Sequence, residues 1–345
     1  MRSTRGCAAE TRHVTTPLLE VDDLQTEIAL KDGIISPVDH VSLTVEAGET
    51  LGIVGESGSG KSMTALSIMR LLPRSGRIAG GRIHFKGRDL AALSEDEMEA
   101  VRGTEIAMIF QDPMTSLNPV YRAGWQVGEP LRIHRHADRR GSLAAAVELF
   151  QKVGIPDPRR RVTQFPHMFS GGMRQRTMIA MGLSTGPSLL IADEPTTALD
   201  VTIQAQILEL LRTLNRDYGT ATILITHNLG VVAGMCDRVA VMYGGRVVEQ
   251  GTTDDVFLHP EHPYTWALLR SIPRLDADEH VALKPITGSP PDMHRLPAGC
   301  KFQPRCQFAI ERCAREEPAL EPVRSQLARC WVTQAGGRLE AADGR

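Results

Sequence analysis

The stretch Thr50-Leu-Gly-Ile-Val54-Gly55-Glu-Ser-Gly-Ser-Gly60-Lys61-Ser62 constrains this chain more than any other. A strand-like apolar run enters a glycine-rich turn, and the turn opens directly into a helical pattern. Every fixed position of G-x-x-x-x-G-K-[ST] is filled. Gly58 and Gly60 let the backbone turn its N–H groups inward, and Gly55 and Ser57 complete the same loop. The helix that follows adds the positive end of its dipole to an anion site. Lys61 is placed to neutralise the β- and γ-phosphates of a nucleotide, and Ser62 to ligate Mg²⁺. The bland alternative is a strand-to-helix turn that binds nothing; the Lys-Ser pair and the correct flanks speak against it. The order strand, phosphate loop, helix places the chain in the α/β class.

Apolar runs alternate with helical patterns from Leu18 to about Val248. Strands are expected at Thr50–Val54, Ile106–Phe110, Leu189–Asp193, Thr222–Thr226 and Arg238–Tyr243. Helices are expected at Lys61–Leu72, stopping before Pro73, at Gly171–Leu183 and at Val201–Asn215. The last carries Ile203, Ile207, Leu210, Leu211 and Leu214 on one face. From about residue 112 to 185 the pattern is that of an inserted helical subdomain. It contains the basic stretch Arg132-Ile-His-Arg-His-Ala-Asp-Arg-Arg140, read as a solvated helix face, with contact to anionic lipid as the sharper alternative. After Gly251 the strand pattern fades and prolines become frequent. The expected organisation is a disordered lead (1–17), a nucleotide-binding domain (18–255), a C-terminal module (256–335) and a disordered tail (336–345).

Composition narrows the function. With 39 basic and 41 acidic residues the net charge is −2, which argues against a general nucleic-acid binder. No apolar run is long enough to span a membrane, and the N-terminus lacks the apolar core of a secretory signal.

Two carboxylates end the apolar strand at Asp193-Glu194-Pro195. Alone this is a weak signal, but it follows a phosphate loop at the distance where the second anchor of a nucleotide-bound metal is expected. Asp193 is placed to reach Mg²⁺, and Glu194 to hold or deprotonate an attacking water. His227 follows the next core strand, where α/β sheets hold their ligands, and is placed to contact a γ-phosphate. Gln111, after the strand at 106–110, is placed to touch Mg²⁺ or water; taken alone it reads as a turn residue.

Phe169-Ser170-Gly171-Gly172-Met173-Arg174-Gln175-Arg176 resembles the signature sequence of ATP-binding cassette (ABC) ATPases. The order of phosphate loop, Gln111, signature, Asp193-Glu194, Ala198-Leu199-Asp200 and His227 looks like that family's nucleotide-binding domain. Met173 stands where the family's signature usually ends in Gln. The resemblance implies a P-loop fold of ABC type, with a RecA-like core, an antiparallel β subdomain and a helical subdomain. It also implies a head-to-tail dimer. Ser170, Gly171 and Gly172 would then bind the ATP held by the phosphate loop of the opposite subunit, and Asp200 would touch the facing loop. The family stacks adenine on an early aromatic residue; none lies between Leu18 and Thr50, which leaves Ile28, Ile34 or Ile35 for the base.

Finer matches resemble the ATPases of dipeptide, oligopeptide and nickel importers. They include Phe110-Gln-Asp-Pro-Met-Thr-Ser-Leu-Asn-Pro119, His259-Pro-Glu-His-Pro-Tyr-Thr265, Ser271-Ile-Pro273, Gly288-Ser-Pro-Pro291 and Leu296-Pro-Ala-Gly-Cys-Lys-Phe302. This resemblance implies a peripheral ATPase on the cytoplasmic face of a membrane. Its partners would be a second ATPase subunit, identical or paralogous, and two transmembrane permease subunits, served by an extracytoplasmic solute-binding protein. The alternative is a soluble Fe–S-containing ABC ATPase acting on ribosomes, in repair or as a sensor.

Six cysteines are too few for a disulfide scaffold, and four of them crowd together as Cys300, Cys306, Cys313 and Cys330. Three explanations stand: a [4Fe–4S] cluster, structural zinc, or buried free thiols. The importer tail shares the four-Cys pattern, and the cluster is the expectation drawn from it. Cys7 and Cys236 are expected to be incidental.

Overall fold

The computed structural model describes residues 16–197, 199–271 and 286–339. Most of the expected lead with Cys7, Ala198, the end of the Ser271-Ile-Pro273 motif and the last six residues lie outside them. The strands in chain order are β1 (Leu19–Leu30), β2 (Gly33–Val45), β3 (Thr50–Val54), β4 (Gly76–Phe85), β5 (Arg88–Asp89), β6 (Ile106–Ile109), β7 (Leu189–Asp193), β8 (Ala221–Thr226), β9 (Arg238–Tyr243), β10 (Arg246–Thr252), β11 (Glu321–Val323) and β12 (Gln326–Ala328). They form two sheets. An antiparallel sheet runs β2-β1-β4-β5, and the larger sheet runs β11-β12-β10-β9-β3-β8-β7-β6.

β9, β3, β8, β7 and β6 are parallel. β3, β7 and β8 are buried along their whole length, so their sequences read as continuous apolar runs, as a sheet covered on both faces requires. Alternate residues serve opposite cores. Leu190, Ala192, Leu224, Val239 and Val241 pack on the helical side with Phe150, Ile179 and Ile207. Leu51, Ile53, Leu189, Ile191, Ile223 and Ile225 pack on the other side, with Ile68 and the small sheet's Val21 and Phe85. Each buried Leu, Ile or Val among them contributes about 1.5–3 kcal/mol. The parallel strands all end at one edge of the sheet, and the candidate site lies along that edge.

Element ends differ from the sequence expectation in ways that backbone chemistry explains. The helix after the phosphate loop covers Lys61–Ile68 and stops four residues before Leu72. Arg70 adopts a left-handed conformation (φ 51°) and the Leu71 N–H donates back to Leu66 O, which closes the helix in a Schellman-type turn. β6 ends at Ile109, leaving Phe110 exposed. Helix Val201–Tyr218 runs three residues past Asn215, is capped by Asp200 and ends at Gly219, whose φ of 63° suits a glycine C-cap.

The helical insert consists of Pro113–Ser116, Ala123–Val127, Glu129–His134, Arg139–Lys152, Pro158–Arg161 and Gly171–Leu183. Its basic stretch is mostly exposed, as a solvated face would be, but two of its arginines are anchored. The Arg132 guanidinium lies 3.6 Å from the centre of the Trp125 ring and donates to Trp125 O, while Arg135 donates to Thr185 O. Asp138 turns back to cap helix Arg139–Lys152.

The C-terminal region extends the main sheet. β12 pairs with β10 through Glu249↔Ala328 and Gln250↔Leu327. Tyr264 and Phe302 join the core on the helical side, with ring centres 4.7 and 5.1 Å from that of Tyr243.

Candidate nucleotide site

Gly55, Gly58 and Gly60 all have positive φ (153°, 78° and 104°). A Cβ at Gly55 would stand 2.2 Å from Met242 O, and one at Gly60 2.2 Å from Pro37 O. Only glycine fits at these two points, and the loop is thereby held open as a cradle. Gly58 faces open space, and Ser57 lies beside it on the exposed tip. The Lys61 side chain is buried and donates from Nζ to Gly55 O (2.8 Å) and Glu56 O (2.9 Å). Burial lowers its pKa, against the pull of Glu194, Asp193 and Glu56. Among the described residues it forms no ion pair within 4 Å, so its charge is left for an anionic ligand. Ser59 Oγ in the same loop is buried without a partner. A buried cation and an orphaned hydroxyl inside a glycine cradle fit a phosphate chain.

Ser62 Oγ donates to Asp193 Oδ1 at 3.0 Å, which joins the start of the helix to the end of β7. Burial raises the Asp193 pKa, and the Ser62 hydrogen bond opposes it. A hydroxyl and a carboxylate at this separation suit Mg²⁺, which takes few protein ligands and keeps its waters.

Glu194 follows in a left-handed conformation (φ 46°), held by its N–H on Ile225 O. Strained backbone of this kind is concentrated at functional sites. Its carboxylate accepts from Gln111 Nε2 and Thr197 Oγ1, each at 2.9 Å, and lies 3.3 Å from His227 Nδ1. Burial alone would raise the Glu194 pKa, but the hydrogen bonds from Thr197 and His227 outweigh it and hold it below the usual range. It is therefore an anion at neutral pH, able to accept a proton. The His227 side chain is 65% exposed and can meet an incoming ligand. Gln111, Asp193, Glu194 and His227, scattered over 117 positions, come together beside the phosphate loop. Thr197 was not singled out by the sequence; a hydroxyl three residues after Glu194 reads as an ordinary turn residue.

The signature residues sit elsewhere. Ser170 caps helix Gly171–Leu183, accepting from the Met173 N–H at 3.4 Å. Gly172 is buried so closely against Ile203 that a Cβ would come to 2.8 Å. Asp200 caps the neighbouring helix through the Ile203 N–H at 2.9 Å. Among the described residues no hydrogen bond links Ser170, Gly171, Gly172 or Asp200 to the phosphate loop of their own chain. Ile28 and Ile35 face each other across the β1–β2 hairpin, and Ile34 at its tip is exposed.

The sequence matches the ABC transporter family over residues 38–197 and the oligopeptide/dipeptide transporter C-terminal region over 248–313. It is 50% identical over 317 residues to the oligopeptide transport ATP-binding protein OppD of Haemophilus influenzae, covering 92% of this chain and 98% of the relative. The chain belongs to the ABC transporter ATPases, in the oligopeptide/dipeptide group. This ATPase is also 54% identical over 318 residues to a putative peptide import ATP-binding protein of Brucella melitensis, covering 89% and 94% of the two chains. Among solved structures it resembles the dimeric cassette MJ0796 in a post-hydrolysis state bound to ADP and Pi, at a TM-score of 0.62 and 26% identity. That match covers 68% of this chain and 98% of the other. The expected P-loop architecture with its antiparallel β subdomain therefore holds.

The metal expected at the C-terminal cysteines does not find a site in this arrangement. Cys300, Cys306, Cys313 and Cys330 do line one pocket, together with His262 and Arg329. The pocket has room for about 10 Å³, roughly one water. Among the described residues no group of three or more His, Cys, Asp or Glu side chains could hold a metal ion. Burial pushes the Cys300 and Cys306 thiols up to about 12, so without a ligand they stay protonated. Cys236 is likewise a buried free thiol, its pKa pushed up to about 12 by burial.

Proposed function

We propose that this ATPase powers the import of peptides through an ABC transporter. The observation that carries the reading is the meeting of Gln111, Asp193, Glu194 and His227 at the open edge of the phosphate loop, in a chain that also bears the oligopeptide/dipeptide C-terminal region. In this reading Lys61 and the loop N–H groups bind the phosphates of ATP. Ser62 and Asp193, with Gln111 nearby, are the residues that would hold Mg²⁺, which would supply charge screening for the phosphates. Glu194 takes the proton of the attacking water, and His227 contacts the γ-phosphate.

Ser170, Gly171, Gly172 and Asp200 are assigned to the ATP of the opposite subunit. That they cap helices without touching their own phosphate loop supports this role, since a helix N-terminus favours an anion. The assembly is then a pair of ATPase subunits, identical or paralogous, beneath two permease subunits, with an extracytoplasmic binding protein delivering solute. None of the described helices is long and apolar enough to cross a membrane. In this reading the ATPase lies at the cytoplasmic face, held there by its permease partners. Affinity purification from membranes tests the assignment. Two permease subunits with a second ATPase are expected; ribosomal proteins in their place would overturn it.

A finer reading concerns the four cysteines. Four thiols converge on one pocket with room for about one water; this matches a [4Fe–4S] cluster in donor number but not in space, and the reading that fits is buried free thiols. Analysis of the purified protein for iron and acid-labile sulfide, with its visible absorbance, decides this. A colourless protein without iron is expected, and four irons with acid-labile sulfide per chain would overturn the free-thiol reading.

A further inference from the structure

Glu56 is the first variable residue of the phosphate loop, and three of its groups are tied down. Its carbonyl accepts from Lys61 Nζ at 2.9 Å. Its backbone N–H donates to Tyr264 Oη at 2.8 Å. Its carboxylate accepts both terminal nitrogens of Arg305, at 2.6 and 3.0 Å. Tyr264 and Arg305 belong to the C-terminal region, more than 200 residues from the loop. Neither is needed by the chemistry assigned above.

Arg305 is built into place. Its side chain is 6% exposed. Nε donates to Thr287 O at 3.0 Å, and the guanidinium lies 5.8 and 5.9 Å from the Tyr243 and Phe302 ring centres. Tyr264 packs in the same aromatic group. A planar guanidinium that meets a carboxylate with two parallel bonds fixes orientation as well as distance. Together the two contacts set the rotation of the peptide between Gly55 and Glu56. Gly55 O and Glu56 O are the two carbonyls that hold Lys61. The C-terminal region therefore reaches the ammonium that faces the phosphates through one rigid residue.

We infer that Arg305 and Tyr264 are positioning residues, which hold the phosphate loop through Glu56 in the form that binds ATP, so that the C-terminal region sets the ATPase's affinity for nucleotide. The bland reading is that they only stabilise the fold. The two readings differ in what a variant changes. A positioning role moves nucleotide affinity and KM; a purely stabilising role lowers the folded fraction and leaves both constants alone.

The test uses the full-length protein. Arg305→Ala, Arg305→Lys, Glu56→Gln and Tyr264→Phe are compared with the parent for binding of a fluorescent ATP analogue, for KM and kcat of ATP hydrolysis, and for thermal midpoint. Arg305→Ala and Glu56→Gln are expected to weaken binding and raise KM about tenfold with kcat changed less than threefold, the scale of one charge-assisted hydrogen bond. Arg305→Lys should recover part of the loss, because an ammonium cannot make the two parallel bonds. Tyr264→Phe keeps the ring and should cost about threefold. Arg305→Ala combined with Glu56→Gln should be no worse than either alone. Folded variants that bind within twofold of the parent would overturn the inference, as would a fall in kcat at constant KM. If Arg305→Ala does not fold, parental binding by Tyr264→Phe and Arg305→Lys overturns it equally. A parent that fails to bind ATP would instead count against the nucleotide site itself.

Discussion

Gln111 Nε2 donates to Glu194 Oε2 across 2.9 Å, although 83 residues separate them. Gln111 opens the helical insert and Glu194 follows the end of β7, so the insert is attached directly to the carboxylate assigned to the water. Replacing Glu194 by Gln keeps the size and the hydrogen-bonding reach but removes the proton acceptor. Hydrolysis is expected to fall by at least about a hundredfold, the usual weight of a general base, while ATP still binds. Steady-state turnover with a parallel binding titration checks both halves, and an ATP-dependent dimer should persist on size-exclusion chromatography. Turnover at the parental rate would remove Glu194 from the role.

Lys61→Ala removes the one buried cation of the loop. ATP affinity should drop at least tenfold, as expected for loss of a charge-assisted contact in a partly desolvated site. Titration with a fluorescent nucleotide measures it, and a matched thermal midpoint in the absence of nucleotide separates lost binding from lost folding.

Two loop glycines make a contrast. A methyl at Gly60 would stand 2.2 Å from the Pro37 carbonyl at a φ of 104°, whereas a methyl at Gly58 would meet nothing within 4 Å at a φ of 78°. Gly60→Ala must displace backbone and should abolish measurable ATP binding. Gly58→Ala incurs only the left-handed strain, about 1 kcal/mol, and should bind within about tenfold of the parent. Equal behaviour of the two variants would mean that the cradle is not held as described.

The parts legible in the sequence were those governed by local pattern. Thr50–Val54, Leu189–Asp193 and Arg238–Tyr243 are buried on both faces, so their apolar runs gave their ends to the residue. Phosphate loop, Asp193, Glu194 and His227 were readable because each ends or follows a core strand, and parallel strands deliver their C-terminal ends to one edge. Helix ends were less legible: the left-handed turn at Arg70 is set by its backbone and carries no glycine to announce it. Contacts across long separations left no trace. Nothing in the His259-Pro-Glu-His-Pro-Tyr264 motif shows that its tyrosine reaches Glu56, and nothing around Cys306 shows that the preceding arginine does. The tail read as a separate module because β11 and β12 are only three residues each, too short to register as a strand pattern; that they continue the main sheet is set by pairing with β10.

His262 gives the fold a sensitivity to acid. Its ring is buried, and Nδ1 accepts the Tyr264 N–H at 3.1 Å to cap helix Pro263–Arg270. Burial, helped by the charge of Arg329, pulls its pKa down to about 3, whereas an unfolded chain returns it to about 6.5. Between those values the unfolded state binds a proton that the folded state refuses. Stability is therefore lost as pH falls from about 6.5 towards 3, by about 1.4 kcal/mol per unit inside that window, and the group contributes nothing above it. The neighbouring Glu249 acts in the opposite sense. Burial raises it to about 8 in the fold, so its effect grows more unfavourable as pH rises through the range above 4.5. His262→Asn keeps a capping acceptor and leaves Glu249 in place, so the difference between variant and parent isolates the histidine. Thermal midpoints at pH 7.5, 6.0 and 5.0 should show a parent that loses stability faster than the variant only below pH 6.5; parallel curves would mean that His262 is protonated in the fold.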